Sequence, residues 1–236
     1  MKYMGNKRRI AKHILPIILE NRQKDQWYVE PFVGAFGTMD KVTGNRLAAD
    51  VNPYLIKLYQ AVQLGWIPPD NITEEEYKAI KEDKGRYCSR LVGFVGFGCS
   101  FGGKFFGGYA RGKNSKGEPR NYCNESKKSI LKQAKNLKGI VIVESSYQDL
   151  YPPENSIIYC DPPYAGTTKY KGIEFDTDDF WDWCSDKAIL DHRVFVSEYK
   201  APAGWKSIWS KEINVPLNDK STRSNKGIEH LFIYEL

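Results

Sequence analysis

The chain has 236 residues, is 41% hydrophobic and 27% charged, and carries a formal net charge of +6. That suits one α/β domain with an insertion or two small domains, and without a run of 18 or more apolar residues no membrane span is expected. The basic start lacks the apolar stretch and cleavage site of a signal peptide, and five widely spaced cysteines (Cys88, Cys99, Cys123, Cys160, Cys184) form neither a Cys-x-x-Cys pair nor a Cys/His cluster. A disulfide framework and a metal site are therefore not expected, and a reducing cytoplasm fits best.

In chain order, a first helix is predicted from Gly5 to about Leu15, with Ile10 and Ile14 on one face and Pro16 ending or kinking it. Trp27-Tyr28-Val29-Glu30 reads as a short strand stopped by Pro31, followed by the turn Gly34-Ala35-Phe36-Gly37 and a short helix. Arg46 to Asp50 is a second strand. Asn52-Pro53 is a helix start, an N-cap followed by proline at the first helical position, and Leu55, Leu58, Tyr59 and Val62 supply the apolar face. Thr73-Glu74-Glu75-Glu76 fits a capping box. Between Gly85 and Tyr122 no period stands out. A helix returns from about Glu125 to Leu137 with Gly139 as its stop. Ile140 to Val143 reads as a buried strand, Ile157 to Cys160 as another, Asp178 to Leu190 as a helix capped by Thr177, and Val194 to Ser197 as a strand. Lys206–Val215 and Leu231–Glu235 form a closing pair. Strands alternating with helices imply a doubly wound, mostly parallel α/β sheet, in which ligands collect at the carboxyl ends of strands.

Charge is unevenly spread. Residues 84–138 hold 13 Lys/Arg against 2 Asp/Glu, with 10 of the 20 glycines and 8 aromatics, while the remainder is slightly acidic. A positive, glycine-rich, aromatic segment on an acidic body is a candidate polyanion-binding insertion, with a solvated loop as the alternative. Arg111 and Lys113 are its candidate nucleic-acid contacts.

The most informative stretch is Ile157-Ile158-Tyr159-Cys160-Asp161-Pro162-Pro163-Tyr164. An apolar strand stops at an acid and two prolines, which have fixed φ and no N–H, so the chain leaves the sheet as a stiff rim with free carbonyls. A carboxylate, a rigid carbonyl and an aromatic face suit a planar ligand bearing an amino group. Upstream, the glycine turn at Gly34 permits close backbone approach, and Asp50 ends the next strand where an acid can accept two ribose hydroxyls. Read singly, the turn could be structural and Asp50 a surface acid or part of the Asn52 cap; together they point to a nucleoside-containing cofactor. The absent G-x-G-x-x-G spacing argues against a dinucleotide. Tyr3, Gly5, Asn6 and Lys7 precede the first helix, where N–H groups and a lysine suit a carboxylate, though an ordinary basic N-terminus reads the same way.

Taken in order, Lys2-Tyr3-Met4-Gly5-Asn6-Lys7, Glu30-Pro31-Phe32-Val33-Gly34, Ala49-Asp50-Val51-Asn52, Tyr147-Gln148-Asp149 and Asp161-Pro162-Pro163-Tyr164 resemble the motifs of DNA adenine-N6 methyltransferases, in the Dam-type branch where the recognition region lies between the glycine motif and Asp-Pro-Pro-Tyr. The resemblance implies a catalytic domain over 1–64 and 139–236 with an inserted target-recognition region over 65–138. It implies S-adenosyl-L-methionine as cofactor, bordered by Tyr3, Gly5 and Lys7, with Phe32 and Gly34 beneath it, Asp50 on its ribose and Asp149 on its adenine amino group. Asp161, Pro162 and Tyr164 would hold an adenine flipped out of double-stranded DNA. Two departures stand out: the family's second glycine position is Phe36, with Gly37 one later, and Tyr3 stands where tryptophan is common. Rival readings are an exocyclic-amino methyltransferase acting on cytosine N4 or RNA, and a non-catalytic DNA-binding protein that keeps the fold.

Overall fold

The computed structural model describes residues 1, 3–163, 175–215 and 225–235. Seven strands form one sheet: β1 (Tyr28–Glu30), β2 (Arg46–Asp50), β3 (Ile140–Glu144), β4 (Ile157–Cys160), β5 (Arg193–Glu198), β6 (Trp205–Val215) and β7 (Asn225–Tyr234). Their spatial order is β3-β2-β1-β4-β5-β7-β6. The first five are parallel, and β7 runs antiparallel between β5 and β6. The chain is thus α/β with a mostly parallel sheet, as the alternating pattern predicts. Strand order reverses between β1 and β4, and in sheets of this kind ligands bind in the crevice at the carboxyl ends of the strands at such a switch point.

Period-two alternation sends neighbouring residues to opposite faces. Tyr28, Ala48, Ile142, Ile157, Tyr159 and Phe195 join one hydrophobic cluster, packed with α1 (Ala11–Ile18) and α2 (Pro53–Gln63). Val29, Leu47, Ala49, Ile158, Val194 and Val196 join the other, with Phe180 and Cys184 of the helix Thr177–Ile189. The Asn52 side chain caps α2 by accepting from the Leu55 N–H at 3.1 Å, and Thr73 and Glu76 close the capping box of α3 (Glu74–Glu82).

Several expectations are corrected. Pro16 lies inside α1, which continues to Ile18. The Pro16 ring and Lys12, whose carbonyl loses its partner, both face solvent, so water can take that hydrogen bond. The first helix is also interrupted: Lys7–Arg9 is a 3₁₀ turn, and the α-helix starts only at Ala11. β3 is an edge strand rather than a buried one, and Val141 is exposed on its open face. Asp176, not Thr177, caps the last helix, accepting from the N–H groups of Asp178 and Asp179.

The segment without a period folds into α4 (Ser89–Gly93), a single π-helical turn over Phe94–Gly98 and a 3₁₀ turn at Phe101–Gly103, leading to α5 (Tyr122–Ala134). Every residue of Phe94–Gly98 is buried, and an element covered on all sides has no polar face to generate a stripe. The packing is close: a Cβ on Gly93 would lie 2.1 Å from the Tyr54 carbonyl oxygen of α2. Phe94, Val95, Phe97 and Phe106 share the hydrophobic cluster of α1 and α2, with Phe105 partly buried against it. These clustered phenylalanines are core, not rim. The helix Thr177–Ile189 is α6.

Candidate active site

The crevice is built first from the turn after β1. Val33 N–H donates to the Ala49 carbonyl at 2.9 Å and Gly34 N–H to Asp50 Oδ2 at 3.1 Å, which fastens the turn to the end of β2. Gly34 has φ +50°, and a Cβ there would meet the Tyr3 ring at 3.0 Å. A Cβ on Gly37 would sit 2.2 Å from Asn6 Oδ1, the atom that caps the 3₁₀ turn by accepting from Arg8 N–H. Both glycines are therefore needed where the N-terminal motif lies on the turn. The Arg8–Asp40 ion pair, at 2.6 Å, ties the same two segments together.

Phe36, at the family's second glycine position, has φ +57°. Its backbone lies in the left-handed region that glycine tolerates, with a side chain that burial holds in place: Phe36 is fully buried with its ring 4.2 Å from that of Tyr59. Gln133 of α5 donates to the carbonyls of Ala35 and Phe36 at 2.9 and 3.0 Å, and the Tyr59 hydroxyl donates to Ala35 at 3.1 Å. The irregular turn thus has its carbonyls satisfied from the helical layer.

Asp50 accepts Gly34 N–H on one oxygen and Asn52 N–H, at 2.9 Å, on the other. Burial pushes its carboxyl up to about 6, against the pull of those two N–H groups. Each oxygen retains a lone pair for a further donor, which is what a ribose diol would supply. The loop after β3 docks beside it, with Ser145 N–H on the Asp50 carbonyl at 3.3 Å. Asp149 is exposed there and accepts the Ser146 hydroxyl at 2.7 Å. Phe32 packs against Tyr147 and Phe180, with ring centroids 5.4 and 5.6 Å away. Gly5, at φ +79°, has open space at its Cβ position.

Across the crevice, Asp161 follows β4 at the sheet's centre, with Pro162 buried behind it; Tyr164 lies outside the described residues. Asp161 Oδ1 is 3.1 Å from the Lys7 ammonium, which stands 3.0 Å from Glu229 Oε1 of β7. Lys7 is 9% exposed and Glu229 3%. Burial raises the Asp161 carboxyl to about 6; Lys7 pulls it down, while Glu229 and Glu198 push it up. Burial works against the Lys7 charge, but Asp161 and then Glu229 outweigh it and hold the ammonium above its usual range.

These motifs and this sheet agree with what the chain is similar to. Residues 3–88 match the sequence model of the D12 class N6 adenine-specific DNA methyltransferases. The DNA adenine methylases of two Vibrio cholerae O1 strains, classical Ogawa 395 and El Tor Inaba N16961, are each 28% identical over 210 residues, covering 76% of this chain and 72% of theirs. The chain is thus similar to N6 adenine-specific DNA methyltransferases over its N-terminal third and to DNA adenine methylases over most of its length. Those relatives are named for methylation of adenine in DNA, a reaction that requires a methyl donor.

Two candidate residues remain. Arg111 and Lys113 sit on an exposed hairpin, in which Lys113 bridges Pro119, Arg120 N–H donates to Gly112 at 2.9 Å and Asn114 N–H to Glu118 at 2.9 Å. The Arg111 guanidinium, 68% exposed, is ion-paired with Glu74. Sequence reasoning did not single out Glu229, Glu198, Glu30 or Gln133. In a strand or a helix a buried polar residue reads like an exposed one, and only the fold shows what faces it. The expected last strand began at Leu231, short of Glu229, whereas β7 begins at Asn225.

Proposed function

We propose that the protein transfers the methyl group of S-adenosyl-L-methionine to N6 of an adenine turned out of double-stranded DNA into the rim at Asp161 and Pro162. One observation carries this reading: the Asp161 carboxylate, just past the central strand β4 and paired with Lys7, shares the switch point with a glycine turn fastened to a second carboxylate, Asp50. The cradle at Gly34 and the remaining lone pairs of Asp50 fit the cofactor's nucleoside, with Tyr3, Gly5, Phe32 and Asp149 around it. When bound, the cofactor supplies an electrophilic methyl group.

The protein's own work is on the amine. Adenine N6 is a weak nucleophile because its lone pair is delocalised into the ring. The Asp161 carboxylate and the Pro162 carbonyl accept hydrogen bonds from the two N6–H groups and draw the nitrogen towards tetrahedral geometry, so its lone pair is free to attack. Lys7 occupies Oδ1 and leaves Oδ2 for the amine. Methylation gives a cationic nitrogen that must lose a proton, and a carboxylate titrating near 6 can take it. Tyr164 is assigned to stacking on the base. Orientation and charge placement supply the acceleration. The assignment of 1–64 and 139–236 to catalysis and 65–138 to target recognition belongs to the same proposal, as does a cytoplasmic location, which suits five free cysteines. The deciding experiment is nucleoside analysis and methylation-aware sequencing of DNA from cells expressing the protein. N6-methyladenine in a fixed context is expected; N4-methylcytosine or no product would overturn the reading.

Two expectations follow for binding. Asp50→Ala should weaken S-adenosyl-L-methionine binding markedly, since each hydrogen bond to a charged acceptor contributes about 1.5–3 kcal/mol. Calorimetry giving equal affinity for the variant would remove Asp50 from the site. For DNA, the Arg111→Ala/Lys113→Ala double variant should flatten the dependence of log affinity on log salt, by roughly 0.9 for each phosphate that is no longer neutralised. Arg111 must give up its Glu74 pair to bind phosphate, and an exposed pair of that kind holds it by only about 0–1 kcal/mol. Equal slopes and equal methylated contexts for wild type and variant would put the recognition face elsewhere.

A further inference from the structure

Glu229 is distant in sequence from every motif, yet it is as buried as the core around it and grips Lys7 opposite Asp161. We propose that Glu229 is a positioning residue for methyl transfer: it shares the Lys7 charge with Asp161, so that Lys7 anchors the Asp161 carboxylate without neutralising it. This rests on the reading above, in which Asp161 accepts the target amine. A buried lysine facing one carboxylate forms a neutral pair, and the carboxylate's acceptor strength is spent on the lysine. With a second carboxylate 3.0 Å away, the group of three carries a net negative charge. That charge lies where the methylated nitrogen becomes positive, and an opposite charge close by in a desolvated site stabilises it.

The geometry keeps the arrangement fixed. Lys7 lies in the 3₁₀ turn locked to the glycine turn by Asn6 and Arg8, Glu229 is in the middle of a paired strand, and Asp161 follows a central one. The other groups that feel this charge are Glu198 of β5 with neighbouring Tyr199, Tyr159 of β4 and Glu30 of β1. Glu198 lends some of its carboxylate to the Tyr199 backbone N–H. Glu229 is in direct contact with the Lys7 ammonium, at 3.0 Å.

The test is the pH dependence of single-turnover methyl transfer, from labelled S-adenosyl-L-methionine to plasmid DNA grown without adenine methylation, for wild type, Glu229→Gln and Glu229→Asp. In Glu229→Gln more of the Lys7 charge falls on Asp161. The acid limb should move down by about one pH unit, since a like charge is removed from beside the titrating carboxylate. The plateau rate should fall roughly tenfold as an acceptor charge is lost, while cofactor affinity stays within about twofold. Glu229→Asp keeps the charge and should keep the wild-type midpoint. An unmoved acid limb in Glu229→Gln, or the same displacement in both variants, overturns the proposal, because a merely structural residue would scale the rate without moving the midpoint. If Glu229→Gln does not fold, Glu229→Ser, which also removes the charge, is read in the same way: an acid limb moved down by about one pH unit supports the proposal and an unmoved one overturns it. Failure of the functional reading looks different: wild type would then methylate no adenine at any pH.

Discussion

Asp161→Ala should lower single-turnover methyl transfer by at least about 10²-fold, while cofactor affinity changes by no more than a few fold. Removing one preorganised group aimed at developing charge costs about 10²–10³ in rate. Here the same group also orients the nucleophile, so a loss confined to the chemical step is expected. The fold should survive. Breaking a buried ion pair by deleting one partner ordinarily costs about 3–5 kcal/mol, because the other charge is stranded; in this protein Lys7 keeps Glu229 at 3.0 Å. Asp161→Asn, which keeps the shape and one acceptor oxygen, should be nearly as inactive and at least as stable. In the wild type the rate should fall as pH drops through about 6, where burial places the Asp161 titration. Rapid-quench measurement of all three proteins on methylation-free plasmid DNA checks the set. Wild-type rates in Asp161→Ala would mean that the amine is held by other groups.

Much of this architecture was legible in the chain because its signals are local. β2 spans Arg46–Asp50 and β4 spans Ile157–Cys160, as predicted, since short apolar runs are bounded by turn residues at both ends. Asn52-Pro53 and the Thr73 box act over three residues, and both caps form as expected. Asp50 and Asp161 could be found because each ends such a run. The failures share a different cause. The Phe94–Gly98 turn is specified by what surrounds it, and its local pattern carries no period. β3 reads as an interior strand because Val141 is apolar, but its exposure follows from strand order, which a single strand does not encode. Phe36 looks like a departure from a glycine motif, yet its φ of +57° lies in the left-handed region that glycine favours. The compensating residues, Tyr59 and Gln133, lie 23 and 97 positions away, on α2 and α5. Glu229 was hidden for the same reason: its partner Lys7 is at the other end of the sequence.

Glu30→Gln should stabilise the protein at alkaline pH and leave it unchanged in mild acid. Glu30 ends β1, 2% exposed, beneath the crevice. The Tyr28 hydroxyl donates to its Oε1 at 2.8 Å. Burial pushes the carboxyl from 4.5 up to about 8; the hydrogen bonds from Thr38 and Tyr28 oppose the shift, and the charges of Asp161 and Asp40 add to it. The sign follows from proton binding. Between about 4.5 and 8 the folded state holds a proton that the unfolded chain has released, so stability falls as pH rises through that window and levels off above it. At about 1.4 kcal/mol per unit the full window amounts to a few kcal/mol, an upper bound because the site can relax when charged. Glutamine has the same shape, keeps an acceptor oxygen for Tyr28 and Thr38, and never ionises. The difference in melting temperature between Glu30→Gln and wild type should therefore be near zero at pH 4.5 and grow through neutrality. At pH 8 to 9 it should reach several degrees, at roughly 2–4 °C per kcal/mol for a chain of this size. Taking the difference between two proteins at each pH cancels every other titrating group except those coupled to Glu30 itself, Asp161 first among them. Melting curves that stay parallel from pH 4.5 to 9 would show that Glu30 is ionised in the fold. The crevice would then carry one more negative charge below Asp161, and the carboxylate that accepts the amine would titrate higher than burial and its present neighbours place it.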